Sequence, residues 1–200
     1  MNNFFKAVFA SVIFITSTVT NAEVLNFDAQ PEQYFVNSVV EGNYLLEGTY
    51  DGFGTNNEGL WPSNGSMHLM SWTNIGDTSG FTLSNLSNDL FNIQSFDFAS
   101  GYVGGSQPVD ILNVTSYLGG NLVNSVSFLS GIDYLNYSSL TTLNLGFTGI
   151  DTVRFEALGS SNRAIFDNVS VSAVPEPSTY VLMLAGLGLV GFMARRRKQA

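Results

Sequence analysis

The chain has 200 residues, of which 44% are apolar and 12% charged, with no cysteine and a net charge of −9. Without thiols there are no disulfide staples, no thiolate metal site and no cysteine nucleophile. Five of the seven basic residues sit at the chain ends, so the stretch Glu23–Ala173 sets two positive charges, Arg154 and Arg163, against fifteen negative ones. That balance, two minus fifteen or −13, repels nucleic-acid phosphates and excludes DNA or RNA as a partner.

In chain order, the first segment is "MNNFFKAVFASVIFITSTVTNA", with one lysine (Lys6), an apolar run through Ile15, then small polar residues. Thr20 and Ala22 lie three residues and one residue before a cut that leaves Glu23 first. Residues 1–22 therefore read as a signal peptide, with the Sec machinery and signal peptidase as partners.

The next stretch, residues 23–173, is rich in Gly, Asn, Ser, Thr and β-branched or aromatic residues, and it alternates with period two. Val153, Phe155 and Ala157 alternate with Thr152, Arg154 and Glu156. Leu143, Leu145 and Phe147 share one side of a second run; Leu122, Val126 and Phe128 share one side of a third. Around ten short strands with glycine-rich turns and no amphipathic helix predict an all-β fold, an antiparallel β-sandwich. Leu118-Gly119-Gly120-Asn121 is the clearest hairpin turn. The segment Tyr50–Asn64, "YDGFGTNNEGLWPSN", reads as a long polar loop and the place to look for function.

Several residues in this body carry chemistry. Tyr50, Trp61 and Trp72 offer rings for stacking on sugars, with Asp51 and Glu58 as carboxylates beside them; the competing expectation is that these rings serve burial. Asp51 and Glu58 are also the best pair for glycoside hydrolysis. Asp167 lies in "AIFDNVSVSA", where strict alternation puts it on the side of Ile165, Val169 and Val171. A carboxylate there needs a cation, an arginine or backbone donors, and calcium with oxygen ligands from Asp28 or Glu23 is one solution. A strand end or turn is the other. His68 stands alone, so it builds neither a multi-histidine zinc site nor, without a Gly-x-Ser-x-Gly elbow, a serine triad.

The last segment, residues 174–200, joins Val174-Pro175-Glu176-Pro177-Ser178-Thr179 to an apolar run from Tyr180 to Ala194, then Arg195, Arg196, Arg197 and Lys198. The run predicts one short transmembrane helix at about 178–194, with the arginines on the cytoplasmic side. These three features in this order resemble the PEP-CTERM sorting signal of exported proteins of exopolysaccharide-making bacteria, also catalogued as an ice-binding-protein C-terminal domain. The resemblance implies an inner-membrane intermediate, recognition of Pro-Glu-Pro by an exosortase (a membrane transpeptidase), and delivery to the cell surface or the medium. Less specifically, "LNFD", "FDFASGYVGG", "VTSYLGGNLV" and "AIFDNVSV" resemble jelly-roll domains similar to carbohydrate-binding modules, many of which hold a structural calcium ion through an aspartate on the last strand. The expected function is a non-enzymatic surface or biofilm-matrix protein that binds or scaffolds exopolysaccharide. A secreted polysaccharide hydrolase is the alternative. Ice binding ranks last, because it needs a flat threonine-rich face and the threonines are scattered along the sequence.

Overall fold

The computed structural model describes residues 22–49, 52–56, 65–72, 78–100, 111–129, 140–158, 163–175, 183–191 and 195, without the side chains of Trp72 and Arg163. Its strands follow the alternating stretches. In chain order they are β1 (Glu23–Leu25), β2 (Ser38–Glu41), β3 (Tyr44–Gly48), β4 (Gly52–Asn56), β5 (His68–Trp72) and β6 (Ser79–Asn85). Then come β7 (Phe91–Ser100), β8 (Ile111–Leu118), β9 (Asn121–Leu129), β10 (Thr141–Ile150), β11 (Thr152–Leu158) and β12 (Arg163–Ala173). The twelve described strands exceed the ten expected. Part of the difference is β4, which forms inside the expected Tyr50–Asn64 loop because Phe53 enters the core and the Thr55 hydroxyl donates to the Pro31 carbonyl at 2.6 Å.

Two antiparallel sheets result. The first runs β10-β7-β12-β5-β4, with β1 beside β12; the second runs β2-β3-β6-β11-β8-β9. Their inner faces meet over an aromatic core. Phe81 and Phe155, paired across β6 and β11, stack at 4.5 Å, and Phe166 of β12 meets them edge-on at 4.9 and 5.5 Å. Phe96 adds an edge contact to Phe155 at 5.1 Å. Rings of this kind each bury roughly 150–250 Å², and edge-to-face packing adds about 1 kcal/mol per pair. Val153, Phe155, Ala157, Leu143 and Phe147 all face this core as the alternation predicts.

Two expected orientations fail, and a bulge explains each. In β9 the register shifts between Ser116 and Tyr117, so Leu122 pairs with Tyr117 on the outer face and is 59% exposed, while Val126 and Phe128 pack inward. In β12 the register shifts between Asp167 and Ser170, where Asn168 adopts a left-handed φ of 48°. The extra residue reverses the alternation. Phe166, Val169 and Val171 line the inter-sheet core, whereas Ile165 joins Met70 and Ala99 in a separate small cluster on the other side of the sheet. Asp167 shares the side of Ile165 rather than that of Val169 and Val171.

The β8–β9 hairpin forms as expected. Gly119 and Gly120 have φ of 57° and 78°, the two positive values that a type I′ turn requires. The chain divides into two compact units; Asn21–Val174 is one, and the C-terminal segment belongs to the other. Residues 183–191 of that segment are helical. Among the described residues no helix is long and apolar enough to cross a membrane, and the expected span at 178–194 lies partly outside them, as does the whole of residues 1–21.

Gly80 ties the two sheets together. Its carbonyl accepts the Thr49 N–H and the hydroxyl of buried Ser71, which lies on β5 of the opposite sheet, each at 3.1 Å. A Cβ on Gly80 would stand 1.9 Å from the Phe155 carbonyl oxygen, a backbone atom that cannot step aside. Gly80→Ala is therefore expected to lower stability by about 3 kcal/mol, seen as a fall in the urea midpoint at unchanged slope.

Candidate functional site

The outer face of the second sheet is open. On its central strand β11, inward Phe155 forces its neighbours Arg154 and Glu156 outward. The Arg154 Nη2 pairs with the Glu156 Oε1 at 2.7 Å, with side-chain exposures of 38% and 25%. Nη2 is thus committed, while Nε is buried and meets no hydrogen-bond partner among the described residues. Register places Thr82 on β6 and Thr115 on β8 beside Arg154, and Asn113 beside Glu156. The Ser127 hydroxyl donates to the Asn113 Oδ1 at 2.7 Å from the edge strand β9. One row further along, Ser84, Thr152 and Tyr117 lie side by side. Three threonines far apart in sequence, Thr82, Thr115 and Thr152, thus share one face. At about 4.8 Å per strand the face is roughly 24 Å wide. It offers a cation, a carboxylate, hydroxyls, an amide and one aromatic ring, a set suited to hydrogen-bonding a polyol.

Sequence reasoning did not find this face, since it looked for function in a loop. The signal was present in "TVRFEAL": one of only two body cations stands two residues before an acid, both on the polar side of the alternation.

The expected site residues fall elsewhere. Tyr50, Asp51, Glu58 and Trp61 lie outside the described residues. Trp72 ends β5, its backbone paired with Gly52 and Arg163. Of the expected calcium ligands, Asp28 and Asp167 engage the same segment and Glu23 lies elsewhere. Asp28 Oδ1 accepts the Met67 N–H at 3.3 Å and Asp167 Oδ2 accepts the Ser66 hydroxyl at 3.1 Å, so two carboxylates hold consecutive residues of one segment. Glu23 instead lines a cavity of about 140 Å³ with Tyr44, Asn85 and Asp89. Among the described residues no three acidic or histidine side chains converge.

His68 and Asp167 belong to a polar row across the outer side of the first sheet. His68 pairs with Asn56, Asp167 with Asp97, and Asp97 with Thr142; His68 precedes Leu69, whose partner on β12 is Phe166. Asp97 accepts the Thr142 hydroxyl at 2.5 Å and the Asn168 amide at 2.8 Å. His68 and Asp167 are fully buried although this side faces away from the second sheet. Neither ring nitrogen of His68 meets hydrogen-bond geometry with a described partner. Burial lowers its pKa below 6.5, offset in part by the Ser66 backbone, so the ring is neutral.

Comparison with known proteins bears on the tail and on the architecture. Residues 173–198 match the PEP-CTERM protein-sorting motif. The chain therefore carries a signal for export and for processing at the membrane by an exosortase. Of its expected residues, Val174 and Pro175 are half-buried, Arg195 is exposed, and Glu176, Pro177, Ser178, Thr179, Arg196 and Arg197 lie outside the described residues. No curated protein matches the chain. Solved structures of similar fold include a CBM22 xylan-binding domain from Paenibacillus barcinonensis, 15% identical, covering 78% of this chain and 98% of that one at a TM-score of 0.42. A family 11 carbohydrate-binding module of Clostridium thermocellum is 15% identical, with coverages of 80% and 98% and a TM-score of 0.39. A family 29 module complexed with mannohexaose is 12% identical, with coverages of 77% and 92% and a TM-score of 0.45.

His68 makes stability depend on pH. The unfolded chain binds a proton near pH 6.5, whereas the folded one does so only at lower pH, so protonation favours unfolding in between. As the pH falls below 6.5, stability is expected to fall by up to about 1.4 kcal/mol per unit until the folded ring takes up its proton. His68→Leu removes this slope; melting curves across that window read it directly.

Proposed function

We propose that the body is a non-catalytic glycan-binding module, which its sorting signal delivers to the cell surface and which holds exopolysaccharide on the open face of the second sheet. The observation that carries this reading is the Arg154–Glu156 pair at the centre of a six-stranded face, with Thr82, Thr115, Asn113 and Glu47 around it and apolar Val40 and Leu122 towards the edges. A neutral glycan presents closely spaced hydroxyls that both donate and accept. A guanidinium with free donors and a carboxylate with free lone pairs satisfy them together, and charge-assisted hydrogen bonds are worth about 1.5–3 kcal/mol each. Tyr117 supplies a ring for the apolar face of a sugar. A carboxylate engaged with a guanidinium accepts hydrogen bonds, which suits binding better than proton donation to a leaving group. The same charges argue against ice binding, since Arg154, Glu156 and Glu47 interrupt the hydroxyl rows.

The test is titration of the mature secreted protein with neutral gluco-, galacto-, manno- and xylo-hexasaccharides and with the producer's own surface polysaccharide. Arg154→Ala is expected to weaken the best of these at least tenfold, about 1.4 kcal/mol. Its folding stability should stay within about 1 kcal/mol of wild type, because the ion pair is partly exposed. If no glycan binds, or if Arg154→Ala binds as wild type does, the reading is wrong.

A further inference from the structure

We propose that the protein pairs with a second copy of itself through strand β9, an edge of the second sheet. A sheet edge presents unpaired backbone N–H and C=O groups, and a fold that must stay single blunts its edges. Among the described strands the other edges are blunted. β10 is broken by two register shifts, with Gly146 and Gly149 at left-handed φ of 67° and 64°. β4 is covered by the backbone of Gln33, which exchanges two hydrogen bonds of 3.0 Å with Thr55, and by the Val36 N–H, which donates to the Phe53 carbonyl at 3.0 Å. β2 has four residues and ends in Glu41, and its Val40 carbonyl accepts the Gln30 side-chain amide at 2.7 Å. β1 has three residues and is headed by Glu23. β9 carries none of these devices over most of its length.

The strand has nine residues, Asn121–Leu129, with no charge and no proline, and among the described strands it pairs with β8 alone. Leu122, Val123 and Leu129 are each at least half exposed. A body of net charge −13 repels a second copy over most of its surface. An uncharged strand at the rim is where two copies approach with least repulsion. The strand is also complementary to itself. Its register with β8 passes over Val123, so its residues on the open face run Leu122, Ser125, Ser127, Leu129. An antiparallel twofold at Val126 sets Ser125 opposite Ser127 of the second copy and Leu122 opposite Leu129, hydroxyl on hydroxyl and apolar on apolar. A pairing shifted along the strand sets leucine against serine instead. A strand of another protein meets the same backbone, whereas the Leu-Ser-Ser-Leu order is matched by β9 itself. The twofold uses both copies of β9 at once, so association closes at a dimer rather than a fibre. The two six-stranded sheets become one, with the Arg154–Glu156 pairs on the same side and five strand spacings apart, about 24 Å. Two open faces then meet one polymer together, which raises avidity. That consequence rests on the glycan-binding reading above; the pairing does not.

The experiment is sedimentation of the full mature protein across the micromolar range with no glycan present, so its outcome is independent of sugar binding. Wild type is expected to equilibrate between monomer and dimer. Leu122→Glu and Leu129→Lys each replace an exposed side chain, so each keeps the wild-type melting temperature to within about a few degrees. Each weakens the dimer at least about tenfold by placing a charge against a leucine of the other copy. Combined in one chain, the two changes restore the dimer to within about threefold of wild type, because the opposite charges meet across the twofold. Within a single chain they stand at opposite ends of β9 and cannot meet. If wild type sediments as a monomer throughout, the inference is overturned, also where β9 takes up a strand of another protein. A dimer that neither single variant weakens, or that the combined variant fails to restore, overturns it as well. Glycan binding by a monomeric wild type leaves the open-face reading standing.

Discussion

Phe155 points inward, and much of the rest follows. It stacks on Phe81 within its own sheet and meets Phe96 and Phe166 of the other sheet edge-on. A chain without cysteine has no covalent staple, so the hold between the sheets comes from buried area and ring geometry. Edge-to-face rings fix both the separation of the sheets and the phase of each strand, because a one-residue slip would expose a phenylalanine on every strand concerned. With Phe155 locked inward, Arg154 and Glu156 have only the open face to occupy. The candidate binding pair is thus a consequence of the core.

Bulges decide where that logic is interrupted. At Asn168 one extra residue turns the second half of β12 over, so that Val169 and Val171 enter the core while Asp167 is buried on the opposite side of the sheet. Asparagine tolerates the left-handed conformation at little cost, which makes it a suitable residue for the inversion. The inversion also divides one flank of β12 between two partners, β5 pairing with Arg163–Phe166 and β1 with Val169–Val171.

This difference explains how much was legible in the sequence. Strands with unbroken alternation, such as β11, could be read directly, and so could the double-glycine hairpin between β8 and β9. The all-β sandwich class followed from many such runs and a shortage of helix formers. What failed were inferences that carried alternation across an irregularity, at Asp167 and at Leu122. Bulges leave little trace in composition, since asparagine and valine occur throughout the strands. The open face was missed for another reason: it is assembled laterally, from Thr82, Arg154, Thr115 and Ser125, one residue from each of four strands. No local window of sequence contains that row. The sorting signal, by contrast, is contiguous and could be read whole.

The position of β12 connects the fold to that signal. It is the last strand made, yet it lies within the first sheet, pairing with β7 on one side and with β5 and β1 on the other. The sheet cannot close until the final residues of the body are available, and joining Glu23 to Val171 closes nearly the whole of residues 23–173, a slow event with a large loop-closure entropy. The sorting motif begins at Ala173, the final residue of β12, and the Val174 N–H still donates to the Leu90 carbonyl at 3.0 Å. No spacer separates the two. A signal placed directly after β12 is read only on a chain whose every strand has been synthesised, so the sheet can close before the tail is removed. Were the signal at the other end, the chain could be processed while its central strand was still missing.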